Sequence, residues 1–228
     1  AQAALTEAGF VPGAVIYDFD RALAAGCVIR ANPRGMAATG TAVDLVVSEE
    51  TTYDWTTNAG DGTSANPYRI ETPGQLESLI DHSELWGKSF VLTAALDMTG
   101  RVYSQALIAP DTDDGKTGFQ GTAFTGAFDG DGRAIRNLTI RRIDVRHDYV
   151  GLFGMIAAKG RVESLRLSNA DIEGGSGSSS YVGVLAGFNA GTVIDCSASG
   201  VVEGGKGDGL VGSNTGVLTD CTADIGRI

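Results

Sequence analysis

The sequence predicts a mostly β fold: a stacked β-solenoid with a short helical cap, preceded by a small α+β module. Three observations predict it. First, near-copies recur between Phe124 and Cys221: Gly132-Arg-Ala-Ile-Arg-Asn-Leu138, Gly160-Arg-Val-Glu-Ser-Leu165, Gly191-Thr-Val-Ile-Asp-Cys196 and Gly216-Val-Leu-Thr-Asp-Cys221. In each, an apolar residue (Ile135, Val162, Val193, Leu218) stands three places before a second one (Leu138, Leu165, Cys196, Cys221). The second set steps by 27, 31 and 25 residues, a period in the range of solenoid repeats. Such coils bury an apolar face only against their neighbours. Second, 33 of 228 residues are glycine, about twice the average of roughly 7%. They fall at matching places in the copies, as tight corners require, and only 5 prolines are present, which excludes collagen and Pro-rich linkers. Third, a helix start stands ahead of the copies.

In chain order, Ala1-Gln-Ala-Ala-Leu-Thr-Glu-Ala8 forms a helix that Gly9 stops. Three β-rich runs follow, Ala14–Tyr17, Cys27–Ile29 and Ala42–Val47, separated by Gly, Pro and Asn. Residues 1–50 therefore read as one α+β module. The stretch 51–71 is polar and turn-rich and reads as a junction. Thr72-Pro-Gly-Gln75 is a capping-box start with Leu76, Leu79 and Ile80 behind it, so a short amphipathic helix covers the apolar end of the first coil. Phe90–Met98 reads as that first coil, and 72–228 as the capped solenoid.

Two resemblances add to this reading. Ala8-Gly9-Phe10, Gly26-Cys-Val-Ile29, Pro33-Arg-Gly35 and Gly40-Thr-Ala-Val-Asp-Leu-Val-Val-Ser48 resemble a PASTA domain whose opening strand is missing. That family is extracellular, in part associated with peptidoglycan and in part a spacer. The missing strand implies an open edge ready to pair with another segment or chain. Asp61-Gly-Thr63, Phe124-Thr-Gly-Ala-Phe-Asp-Gly-Asp-Gly132, Gly151-Leu-Phe-Gly154, Gly183-Val-Leu-Ala-Gly-Phe-Asn-Ala-Gly191 and Gly209-Leu-Val-Gly-Ser-Asn-Thr-Gly216 resemble GLUG-type repeats of bacterial surface proteins. That resemblance implies a right-handed parallel β-helix in a secreted or surface-attached, adhesin-like protein.

Chemistry is harder to place. The slot before the second apolar residue holds Asn137, Ser164, Asp195 and Asp220, and alternation points it away from the core. Asp195 and Asp220 read either as a carboxylate pair that raises one pKa or binds a cation, or as two solvated aspartates. The second reading is preferred, because no Arg, Lys or His shares the slot. His82 and His147 sit in no catalytic motif, and Ser178-Ser-Ser180 lacks the context of a nucleophile elbow. Asp111-Thr-Asp-Asp-Gly115 misses calcium-loop spacing, and Asp129-Gly-Asp-Gly132 reads as a corner. No cofactor is implied, a structural calcium being the one metal considered. The segments 143–149 and 172–180 read as enlarged loops on one flank, with Tyr149 and Tyr181 beside them as candidate ligand contacts.

A formal charge of -11 argues against nucleic acid, and no apolar stretch is long enough to span a bilayer. No secretion signal or initiator Met is present, so the chain reads as processed or excised. Cys196 and Cys221 share one slot in successive copies and read as free thiols or a bridge. The expected function is a non-catalytic extracellular structural or adhesive rod. The alternative is a β-helix that binds or cleaves polysaccharide. Partners are further repeats, copies of itself at uncapped ends, or cell-wall or extracellular polysaccharide. The uncapped Thr222–Ile228 end reads as that of a fragment or of a head-to-tail fibre subunit.

Overall fold

A computed structural model describes residues 1–18, 27–33, 37–48, 53–113, 116–141, 148–175, 180–206 and 209–227. The alanine-rich start forms the helix Gln2–Glu7, which ends where Gly9 takes φ 81°. Strands Val11–Asp18, Val28–Asn32 and Ala42–Ser48 follow, the helix-then-three-strands order expected. The first and third pair in parallel and the second is antiparallel to the third. The free side of Val11–Asp18 meets Val102–Tyr103 through Tyr17 opposite Tyr103. The edge expected to lie open is thus joined to the solenoid.

The rest is a stack of parallel coils. One sheet has six strands: Tyr68–Ile70, Ser89–Leu92, Ala127–Asp129, Arg161–Glu163, Thr192–Ile194 and Val217–Thr219. A second runs from Leu96–Asp97 and Val102–Tyr103 through Ala134–Arg136 and Thr139–Ile140 to Arg166–Glu173, Ser197–Glu203 and Thr222–Arg227. A third joins Phe153–Ile156, Ala186–Asn189 and Val211–Asn214. All pairings among these solenoid strands are parallel.

Register corrects one expectation. Val162 stacks between Phe128 and Val193, and Val193 beneath Leu218, while Ile135 stacks between Leu96 and Leu167 on the second sheet. The Gly132–Leu138 copy is therefore one sheet out of step with the other three. Its apolar spacing matches theirs because every strand of such a stack alternates alike. The stretch 51–71, read as a junction, packs onto the solenoid: Tyr68–Ile70 is the outermost strand of the six-stranded sheet, and Trp55 is buried. The Trp55 indole N–H donates to Ser78 Oγ at 3.0 Å, and its ring meets Tyr68 and Phe90 edge-on at 5.2 and 5.7 Å.

The cap forms as the sequence dictates. Gln75 N donates to Thr72 Oγ1 at 3.3 Å, Thr72 N donates to Gln75 Oε1 at 3.1 Å, and Pro73 opens the helix Pro73–Ser78. Leu76 and Leu79 are buried beside Ile70 and Trp86. The buried Glu77 carboxylate accepts from Arg101 at 2.6 and 2.7 Å and from the Tyr103 hydroxyl, which ties the cap to the first coil. Below it, Phe90, Phe124, Phe128 and Phe153 are fully buried with ring centroids 5.0–6.5 Å apart, the spacing of favourable aromatic pairs.

Glycines set how closely coils approach. A Cβ on Gly126, Gly191 or Gly216 would sit 2.0, 2.3 or 2.1 Å from a carbonyl oxygen of the preceding coil, of Lys88, Gly160 or Gly191 respectively. The Asn-x-Gly pairs of the sequence serve the same corner: Gly191 N donates to Asn189 Oδ1 at 3.0 Å, and Asn189 Nδ2 donates to Asn214 Oδ1 at 2.8 Å.

Two outcomes follow for stability. Phe128→Ala empties the middle of the aromatic core and is expected to cost about 3–5 kcal/mol. Leu218→Ala in the same ladder, on the exposed last coil, is expected to cost under about 1 kcal/mol. Urea unfolding of both variants measures the difference, and equal losses would contradict the core described. Gly191→Ala forces a side chain onto backbone that cannot yield, with an expected loss of about 2 kcal/mol or more by the same measurement.

Candidate functional site

The corner slot gives the first test of chemistry. Asn137, Ser164, Asp195 and Asp220 all have positive φ, at 60, 49, 50 and 53°. Asn and Asp tolerate this left-handed backbone best among residues with a side chain. Residue type here is therefore explained by the bend. Ser164, Asp195 and Asp220 form one ladder, in which Ser164 Oγ donates to Asp195 Oδ2 at 3.3 Å. Among the described residues, neither aspartate forms an ion pair. Asn137 belongs to a different corner: Asn169, also left-handed at φ 55°, donates through Nδ2 to Asn137 Oδ1 at 2.7 Å. Asn137 Nδ2 in turn donates to Asp97 Oδ1 and Thr99 Oγ1 at 2.8 and 2.7 Å.

Asp97 opens a motif that the sequence repeats as Asp-x-Thr. In Asp54-Trp-Thr56, Asp61-Gly-Thr63 and Asp97-Met-Thr99, one carboxylate oxygen accepts from both the backbone N–H and the hydroxyl of the threonine, at 2.6–3.0 Å. The threonine hydroxyl bond is the main cause that holds all three carboxyls below the ordinary aspartate range. These are turn locks. Asp129-Gly-Asp-Gly132 is likewise a corner, with Asp131 N donating to Asp129 Oδ1 at 2.8 Å and positive φ at Asp131 and Gly132. Among the described residues, no three His, Cys, Asp or Glu side chains gather as metal ligands would.

The outer face of the second sheet carries what the sequence did not disclose. Arg133, Arg136 and Arg166, with Ser168, Ser197 and Ser199, line a groove of about 520 Å³ that contains no carboxylate. Ser168 stands opposite Arg136, and Ser197 opposite Arg166, on adjacent strands. Arg133 is engaged, donating to Leu92 O at 3.1 Å and to Asp131 Oδ2 at 3.3 Å. Arg136 and Arg166 are exposed, and among the described residues neither has a carboxylate within ion-pair distance. A neighbouring groove is mixed in charge, with Asp171, Glu173 and Glu203 and an Arg141–Asp171 bridge of 2.5 Å. Strand alternation would have found Arg136 and Arg166 had their strands been set in register. The misaligned first copy hid them.

Tyr149 and Tyr181 pair in register, with ring centroids 5.3 Å apart, and Phe119 and Phe188 pack against them. Tyr149 is buried in this cluster, and that burial is the main reason its hydroxyl is pushed above the ordinary tyrosine range. Tyr181 stays half-exposed. His82 Nδ1 lies 2.7 Å from Glu84 Oε1. His147, most of the segment 143–149, Ser178, Ser179 and the Asp114-Gly115 end of the acidic loop lie outside the described residues. Cys196 and Cys221 are both free, Cys196 buried and Cys221 partly so. Each thiol lies near a carbonyl of the preceding coil, Val162 O at 3.9 Å and Val193 O at 3.6 Å.

With this geometry in hand, likeness to known proteins adds a context. The chain is 35% identical over 176 residues to halomucin of Haloquadratum walsbyi, a match that covers 73% of this chain. It is 32% identical over 143 residues, 60% of its length, to a protein of Evansella cellulosilytica described as a Gly-rich membrane protein. The likeness is distant and partial. The matched part spans 2% of halomucin and 15% of the second relative. No family profile matches the chain, and no solved structure does.

Burial pushes the Cys196 thiol up to about 12 from an ordinary 9.0. Ionisation therefore begins in the unfolded chain first, so stability is complete below about pH 9 and declines as pH rises toward 12. Removing the thiol should remove that decline. The urea midpoint of Cys196→Ala is expected to fall less than that of the parent between about pH 8 and about pH 10.5. Parallel curves would contradict a buried, protonated Cys196.

Proposed function

We propose that this chain is a non-catalytic structural and adhesive segment of an extracellular or cell-surface protein. In this reading it is a GLUG-type solenoid rod, preceded by a PASTA-like module, whose exposed apolar rung associates with a second copy. The observation that carries the proposal is the last coil. The first, second and third sheets all reach their final described strand there, at Val217–Thr219, Thr222–Arg227 and Val211–Asn214. The apolar ladder through Phe90, Phe128, Val162 and Val193 emerges at Leu218, which is 40% exposed beside Val217 at 50%. The far end, by contrast, is covered by Trp55, Leu76, Leu79 and Trp86. An exposed apolar rung of this kind fits the apolar face of a second copy. The small share of each relative that the chain spans supports a repeated segment, and the relative described as a membrane protein supports a place at the cell surface. The corner aspartates need no catalytic role, because the left-handed bend accounts for them.

Sedimentation velocity over a range of concentrations tests the open end. Association that grows with concentration and disappears in Val217→Lys/Leu218→Asp is expected, with short rods in electron micrographs. A compact monomer at every concentration would overturn the stacking reading.

A further inference from the structure

We infer that the groove lined by Arg136 and Arg166 binds an anionic polysaccharide, with carboxylate or sulfate groups on the sugar seated on the two guanidiniums. This extends the adhesive half of the function proposed above by naming where adhesion occurs and to what chemistry.

The first support is electrostatic. The chain has 28 acidic against 17 basic residues, so carboxylates are plentiful as partners for its arginines. Arg101, Arg133, Arg141 and Arg161 are each paired with one. Arg166 has no such partner among the described residues, and Arg136 faces Asp97 on the adjacent strand without an ion pair, that carboxylate being hydrogen-bonded by Thr99 and Asn137. Packing does not explain either side chain, since both project to solvent from strands whose inward residues, Ile135 and Leu167, fill the core. A guanidinium presents a fork of donors that matches a carboxylate or sulfate in two places at once.

The second support is periodicity. Arg136 and Arg166 lie diagonally on adjacent coils, since Ala134 faces Arg166 and Arg136 faces Ser168. Each guanidinium position therefore has a serine on the next coil along the stack, Ser168 for Arg136 and Ser197 for Arg166. This cation-plus-hydroxyl unit recurs one coil along the stack and two residues along the strand, about 8 Å away. An extended ligand with an anion and hydroxyls on successive units matches it, with sugar hydroxyls bonded to the serines. The protein's net charge of -11 opposes any long polyanion, nucleic acid included. The groove bearing Asp171, Glu173 and Glu203 also bars a long polyanion from running on, so only a few sugar units are held.

Calorimetry at low ionic strength tests this, using the Leu218→Asp chain so that stacking does not contribute. The probes are polygalacturonate, a sulfated galactan, neutral dextran and a single-stranded oligonucleotide. Binding to one or both anionic glycans is expected, weakening with added salt; which of the two binds more tightly distinguishes carboxylate from sulfate. Arg136→Ser and Arg166→Ser should each weaken it about tenfold. Arg166→Lys, which keeps charge but loses the fork, should fall between. Lys159→Ser, an exposed cation outside the groove, should change nothing. No binding to either anionic glycan, equal binding of dextran or oligonucleotide, or an equal loss in Lys159→Ser would overturn the inference. Because stacking is already disabled, failure here is separable from failure of the rod reading.

Discussion

Everything in this molecule depends on how closely one coil lies on the next. Parallel strands stack in register only if the backbone at each corner comes to carbonyl contact with the coil before it. At Gly126, Gly191 and Gly216 that contact leaves no room for a Cβ. Once the corners are fixed, the rest is determined: apolar rungs superpose into a continuous core, and polar corner residues superpose into hydrogen-bonded ladders such as Asn169–Asn137–Asp97. Outward side chains of successive coils are brought onto one face too, which is how two arginines 30 residues apart come to share a groove.

The same constraint explains what could be read from the sequence. Glycine corners, the Thr72–Gln75 capping box and the helix-then-strands order of the N-terminal module are local, and the structure has them where spacing placed them. The solenoid itself was legible because apolar spacing repeats. Register was not. Every strand alternates with period two, so Ile135 looked equivalent to Val162 although it stacks on Leu96 and Leu167. Only the pairing partner separates the two, and a single sequence does not state it. Tyr68–Ile70 was missed for a related reason: three residues between turn-rich segments carry too short a pattern to show alternation.

At the level of the site, Asp195 and Asp220 were visible as a recurring slot, and the structure assigns that recurrence to φ near 50°. The corner side chains are solvent-facing yet serve the backbone. The groove, in contrast, owes nothing to local conformation. Arg166 lies mid-sheet in a position where any outward residue would do, and its meaning comes from Arg136, Ser168 and Ser197 around it.

The touching corners also dictate where the repeat has been free to change length. From Phe128 to Val162, Val193 and Leu218 the steps are 34, 31 and 25 residues. Most of the last contraction falls in one seam. Eight residues lie between Ile140 and Tyr149 and between Ile172 and Tyr181, but only three between Val202 and Lys206, the residue that pairs with Tyr181. This change of length leaves the corner contacts of Gly126, Gly191 and Gly216 in place. The last contraction is thus taken up on one flank, while the glycine corners at Gly191 and Gly216 keep the pitch.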